Sequence, residues 1–331
     1  MKRFAIIAAC LLLLAGCKHK PAPESTAPSV DYSKVQVPVF CADSAFAMVE
    51  AQLAFGPRIP GSKAAADCAA MLAGQLRRWC DTVVLQPFTA TLWDASRAKG
   101  TNIIGSINPA ATKRILLAAH WDSRLWADHD PDESLQHTPV PGANDGASGS
   151  ALLVELARAM SQMPPSVGVD FILFDLEDQG QPDWVDGYTD NTWCLGSQHW
   201  ATNPHIPFYS AVYGILFDMV GTAEGPRFTK EQVSRTFAPG LTDKLWSAAA
   251  ALGYGSLFVD SQTDPILDDH LYVNQILGVP MVDIVQNSPS ISFFSHWHTT
   301  TDNLETISPQ TLEAVATVVL KTIYADYPTE Q

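Results

Sequence analysis

The sequence predicts an α/β fold: a single three-layer αβα domain around a central mixed, mostly parallel sheet. Three observations predict it. Short apolar runs at residues 115–119, 171–174, 214–217 and 279–282 have the length and composition of strands buried on both faces. Helical patterns alternate with these runs, and no internal repeat is present, as expected for one sheet covered by helices. Each run also leads into polar residues: His120-Trp121-Asp122, Asp175 to Asp178, Asp218 and Asp283. Open α/β sheets place their ligands at the carboxyl ends of the strands. Parallel pairing would therefore bring residues far apart in sequence to one cleft.

The elements follow in order. Lys2-Arg3, an apolar stretch over 4–14 and then Leu14-Ala15-Gly16-Cys17 resemble a bacterial lipoprotein signal peptide over residues 1–17, with Cys17 carrying the lipid. A plain secretory signal with an incidental cysteine is the alternative. The apolar stretch is too short to favour a spanning helix. Residues 18–36, rich in Pro, Ser, Ala and charge, read as a flexible tether, and 37–331 as the domain. The expected location is the bacterial cell envelope, lipid-anchored in the outer membrane and facing the periplasm, because Lys18 rather than Asp follows Cys17.

Helices are expected after Cys41, with Asp43 and Ser44 near the start, and after Ser62, which can cap it. Residues 82–89 and 102–107 read as antiparallel edge strands. Residues 122–145 form a long loop, and loops of that length are uncommon without a function. An amphipathic helix covers 147–160, and further helices are expected over 193–202 and 241–252 and shortly after His270. Pro309 at a first turn opens a terminal helix. Of the six cysteines, Cys41, Cys68, Cys80 and Cys194 remain in the expected domain. Export permits disulfides. If the first two helices run antiparallel, Cys41 and Cys80 are neighbours, so Cys41–Cys80 is the favoured pairing. No two cysteines are spaced as a thiolate metal site requires.

The formal charge is −15, and −17 once Lys2 and Arg3 are removed. So acidic a chain argues against a nucleic-acid partner. No G-x-S-x-G elbow follows a strand, which argues against a serine hydrolase. The informative residues are His120, Asp145, Asp178, Asp218 and His298. Imidazole and carboxylate ligands suit catalytic zinc. Taken singly, Asp145 could be only a helix cap and His298 a loop residue; the recurrence at strand ends is what points to a metal. Glu177, beside Asp178, points in a different direction and could stay unligated to move protons. Asp268 and Asp269 could orient it, or could simply cap the next helix. Trp184, Trp193 and Trp297 could wall a pocket or pack in the core.

His120-Trp121-Asp122, residues 142–149, residues 174–178, Phe217-Asp218-Met219-Val220-Gly221, Asp268-Asp269-His270 and Trp297-His298-Thr299 occur in that order. This series resembles the zinc aminopeptidase superfamily (clan MH, M28-like), and within it the glutaminyl-peptide cyclotransferases. Residues 55–61 and 193–198 resemble the lipoprotein-type glutaminyl cyclases of Bacteroidetes. The resemblance implies one zinc on Asp145, Asp178 and His298. It implies Glu177 as the general acid/base, Asp218 and Asp268 as its hydrogen-bonded partners, and Trp193 and Trp297 as substrate-pocket residues. The substrates would be peptides and proteins with N-terminal glutamine, converted to pyroglutamate with loss of ammonia. Asp178 departs from the Glu that many relatives carry, which shortens the arm by about one carbon–carbon bond. The alternative is a two-zinc aminopeptidase, in which His120 and Asp218 bind a second metal, Asp145 bridges and Glu177 activates water. His120, with Asp122 beside it, is then either a metal ligand or a structural residue. A binding module without chemistry would be expected to have lost Glu177, which is intact.

Overall fold

The strands predicted to end in polar residues lie side by side. In the computed structural model, residues 30–187, 189–225, 227–287 and 293–330 are described. From Asp31 onward they form one compact unit. The signal stretch, Cys17 and most of the expected tether lie outside the described residues.

The six-stranded sheet contains β1 (Thr82–Thr91), β2 (Arg97–Ile107), β3 (Arg114–His120), β4 (Gly168–Phe174), β5 (Gly214–Asp218) and, at the far edge, a strand over Met281–Val285. Two shorter strands intervene in sequence, β6 (Phe228–Glu231) and β7 (Phe258–Thr263), so the edge strand is β8. The order is β1-β2-β4-β3-β5-β8. β1 and β2 are antiparallel to their neighbours, while β4, β3, β5 and β8 run parallel. The sheet is thus mixed and mostly parallel, as expected.

Alternation along the strands explains why their apolar runs are unbroken. Ile115, Leu117, Ala119, Val169, Phe171, Leu173, Ile215 and Phe217 face one way. They meet α1 (Ala42–Leu53), α2 (Lys63–Trp79), α3 (Gly149–Gln162), a helix over Pro239–Ala251 and one over Pro309–Asp326. Leu116, Ala118, Ile172, Phe174 and Leu216 face the other way. There they pack on α4 (Leu195–Thr202) and the turns around Val273. Burial on both faces is the condition under which a strand loses its polar alternation. The remaining helices are α5 (Gln232–Phe237) and α7 (Asp269–Tyr272), which makes the two named above α6 and α8.

The caps follow the sequence. Ser62 accepts from Ala65 N at the start of α2, and Ser308 accepts from Thr311 N before Pro309 in α8. Three expectations need correction. Cys41, Cys68, Cys80 and Cys194 are all free thiols, so the Cys41–Cys80 pairing does not form. Cys80 instead leaves α2 against the sheet, where its Sγ lies 2.7 Å from where a side chain on Gly105 would begin. The packed chain starts before residue 37: Tyr32 is buried, and Lys321 Nζ donates to Val35 O at 2.6 Å. Asp283 lies within β8 rather than at its end. Among the described residues, no helix is long and apolar enough to cross a membrane.

Candidate active site

Asp218, the 175–178 turn and His120 all emerge at the carboxyl edge of the sheet. β3 and β4 stay in register to their ends, pairing His120 with Phe174. Asp145 arrives from the turn before α3, whose side chain makes no cap bond there; it faces the cleft instead. The Asp145–Gly146 peptide is cis. Gly146 is required by close approach, since a Cβ there would lie 2.5 Å from the His120 ring. His298 comes from the loop between β8 and α8.

Asp145, Asp178 and His298 form a buried metal-binding group, with one ligand atom from each lying within 4.8 Å of the others. His298 Nε2 is 3.0 Å from Asp178 Oδ1 and 3.7 Å from Asp145 Oδ2. Asp178 Oδ2 is buried without a hydrogen-bond partner. Such an orphaned carboxylate oxygen in a group of two acids and an imidazole fits a divalent cation. Burial, then the charge on Asp145, raises the Asp178 carboxyl to about 6 despite His298. A bound cation would reverse that shift.

His120, Asp145 and Asp218 form a second such group. His120 Nε2 lies 3.0 Å from Asp145 Oδ1 and 3.2 Å from Asp218 Oδ1, and Nδ1 lies 3.4 Å from Asp122 Oδ1. Asp122 does more than flank His120. Its carboxylate accepts from Glu177 N, Asp178 N and Gln179 Nε2 at 3.1, 3.2 and 2.9 Å, so it holds the acidic turn in shape.

Glu177 is buried beside this group. Burial raises its carboxyl well above the ordinary range; His120 opposes this, while Asp178, Asp268 and Asp269 add to it. A raised carboxyl beside a metal site has the properties of a general acid/base. Of the two carboxylates expected beside Glu177, Asp268 adds its charge to the raised Glu177 carboxyl, while Asp218 Oδ1 lies 3.2 Å from His120 Nε2. Asp268 caps α7, its Oδ1 accepting from Asp269 N at 2.5 Å, and its Oδ2 stays buried and unpaired near Glu177. The partner of Glu177 is Cys194, whose Sγ lies 3.1 Å from Oε1.

The cleft has a volume of about 980 Å³ and is lined by both ligand acids, Glu177, Asp268, His298, Trp193 and Trp297, among others. Trp297 stacks on His298 with centroids 3.7 Å apart, and Phe293 packs on Trp297. Trp193 lies parallel to the His298 ring at 5.9 Å. A Cβ on Gly180 would collide with Trp193 at 1.9 Å, so only glycine allows the indole to lie there. Trp184 is 40% exposed and packs with Trp126 and His137, away from the cleft lining.

Several supporting residues had no sequence signal of their own. Asp128 Oδ1 stands 3.4 Å from His298 Nδ1, the position from which a carboxylate orients a metal-bound histidine. Arg124 forks onto Asp128, donates to Asp178 O at 3.1 Å and lies 4.5 Å from the centre of the Trp193 ring. Asp302 accepts from Asn144 N and Asp145 N at 2.8 and 3.1 Å. The only hint was indirect: Arg124 and Asp128 fall in the long loop singled out as needing a function.

The fold and its buried group of carboxylates and histidine at the strand ends define an α/β protein with a candidate metal centre. Residues 102–323, more than half of the chain, match the model of Peptidase family M28, and the chain belongs to that family. It is 47% identical to a structure described as a Zn-dependent exopeptidase from Parabacteroides distasonis, with a TM-score of 0.85, covering 87% of this chain and 99% of that one. It is 46% identical to the glutaminyl cyclase of Bacteroides thetaiotaomicron bound to N-acetylhistamine, again with a TM-score of 0.85 and coverage of 87% and 99%. Among curated proteins it is 26% identical both to aminopeptidase YwaD of Bacillus subtilis, over 67% of this chain, and to glutaminyl-peptide cyclotransferase of Gloydius blomhoffii, over 66%. The matches span 44% and 63% of those two relatives, less than two thirds of either.

Proposed function

We propose that the chain is a glutaminyl-peptide cyclotransferase that closes N-terminal glutamine to pyroglutamate and releases ammonia. One observation carries this reading: a buried carboxyl, Glu177, next to but outside the Asp145–Asp178–His298 metal group under an aromatic wall, in a chain 46% identical to a glutaminyl cyclase over 99% of that structure. Asp145, Asp178 and His298 would hold the metal, taken here as zinc. Zinc, when bound, supplies a Lewis acid that makes the side-chain amide carbon electrophilic. Glu177 takes a proton from the α-amine as nitrogen attacks that carbon, and delivers a proton to the departing ammonia. Trp193, Trp297 and Phe293 hold the bent side chain and limit access of water. Amine and amide belong to one substrate, so orientation is most of what the pocket must supply.

A two-zinc aminopeptidase is the second reading, favoured by the His120–Asp145–Asp218 group and by the relatives that carry that name. Gln-Ala and Leu-Ala peptides separate the two. The expected result is ammonia from Gln-Ala, abolished by a zinc chelator and restored by zinc, with about one zinc per chain. Glu177→Gln should keep the metal and lower turnover about 10²- to 10⁴-fold. Release of free leucine from Leu-Ala, with no ammonia from Gln-Ala, would reverse the assignment.

A further inference from the structure

Cys194 is fully buried, and among the described residues its side chain bonds to the carboxyl proposed to move the proton. The backbone fixes that contact from both sides. Cys194 N donates to Glu177 O at 2.8 Å, and Leu195 N donates to Leu176 O at 3.0 Å. Leu176 and Cys194 both have φ of 57°, so two left-handed residues face each other across this clamp. The residue before Cys194 is the pocket tryptophan, Trp193. One short segment thus delivers both a wall of the cleft and a thiol to the carboxyl behind it.

We infer that Cys194 is a positioning residue for Glu177: its S–H donates to Oε1, fixes the rotamer of the carboxyl and leaves the other oxygen for the substrate. The inference rests on the reading of Glu177 as the acid/base. A thiol suits the task because it is a weak donor. Burial, then the neighbouring Glu177, Asp269 and Asp268, keeps the proton on sulfur. Cys194 is therefore a donor here and not a nucleophile.

The test uses the mature, zinc-loaded protein with Cys194→Ala, Cys194→Ser and Glu177→Gln, assayed for ammonia release from a Gln-Ala peptide. Cys194→Ala should lower kcat about tenfold while KM stays within about twofold, the effect of losing one bond to a charged group. Cys194→Ser restores a donor and should return kcat to within about threefold of the parent. The second readout is independent of turnover. The infrared S–H stretch isolated by subtracting the Cys194→Ser spectrum should move to higher frequency in Glu177→Gln, because the acceptor loses its charge. Unchanged kcat in Cys194→Ala, a serine variant no better than alanine, or an S–H band indifferent to Glu177→Gln would each overturn the positioning role. If Glu177→Gln itself turns over normally, the acid/base reading fails and the inference falls with it, a result distinct from a dead Glu177→Gln beside a fully active Cys194→Ala. Should the alanine variant not fold, the serine variant and the infrared band decide the matter.

Discussion

Four residues at the cleft hold backbone conformations that side chains rarely adopt. Leu176, Cys194, Met219 and His298 have φ of 57°, 57°, 49° and 55°. Each such conformation costs about 1–3 kcal/mol and persists only where its surroundings over-determine it. Each belongs to the metal-binding group or is the chain neighbour of a candidate site residue: Leu176 precedes Glu177, Cys194 follows Trp193, Met219 follows Asp218, and His298 is in the group itself. Buried packing of Leu176 and Met219 offsets the strain. Behind the cleft, Glu231 accepts from Val233 N at 2.6 Å and from Ser234 N, and faces His270 Nε2 at 3.1 Å. Burial alone would raise its carboxyl, but His270 and these bonds outweigh burial and hold it below the ordinary 4.5. A carboxyl lowered on folding adds stability above its unfolded pKa and loses it as pH falls through the folded one. Glu231→Gln should therefore lower Tm at pH 7, and the gap to the parent should narrow as pH drops below about 4.5. Thermal melts across pH 3–7 check this; a gap that does not change with pH would refute it.

At the scale of elements, the sheet carries a buried ion pair within its apolar strands. Arg114, the first residue of β3, donates from Nε and Nη2 to the two oxygens of Asp170 in β4, at 2.7 and 2.6 Å. Ser106 and Tyr209 add bonds to the same carboxylate at 2.6 and 2.8 Å. Removing one partner strands a buried charge, so Arg114→Leu should destabilise by about 3–5 kcal/mol in urea unfolding. Replacing both as Arg114→Leu with Asp170→Leu should recover much of that loss, because the remaining buried charge is gone. Equal losses in the single and double variants would mean that the pair is not what is being measured. This pair was invisible in the sequence, where Arg114 and Asp170 stand 56 residues apart. The strands β3, β4, β5 and β8 were legible because a strand buried on both faces writes an unbroken apolar run. Asp145, Asp178 and His298 stood among five candidates that topology could collect; the family resemblance singled out these three, and they form one metal-binding group. Arg58, Arg124, Asp128 and Asp302 were not legible, since a buried polar group is explained only by partners distant in sequence. Arg58, fully buried, bonds carbonyls of Trp121, Pro141 and Gly142. β6 and β7 escaped notice for a related reason: short strands of mixed polarity, such as Phe228–Glu231, find their pattern only in each other.

At the scale of the whole molecule, the metal group ties together a turn before α3, the end of β4 and the loop before α8. A cation that binds only the folded chain stabilises it by about 2.7 kcal/mol at a hundredfold excess over its Kd. Chelation should therefore lower Tm by several degrees, reversibly on adding zinc, and His298→Ala should abolish the zinc-dependent part. A Tm unmoved while metal analysis confirms complete removal would show that the loops hold their places without it. The order in which the ligands leave the ribosome has a further consequence. Asp145 and Asp178 are made first, and His298 comes only after β8. A nascent copy that stops before β8 is complete cannot assemble the centre, so interrupted synthesis there leaves an inert polypeptide rather than a half-built reagent loose among other proteins.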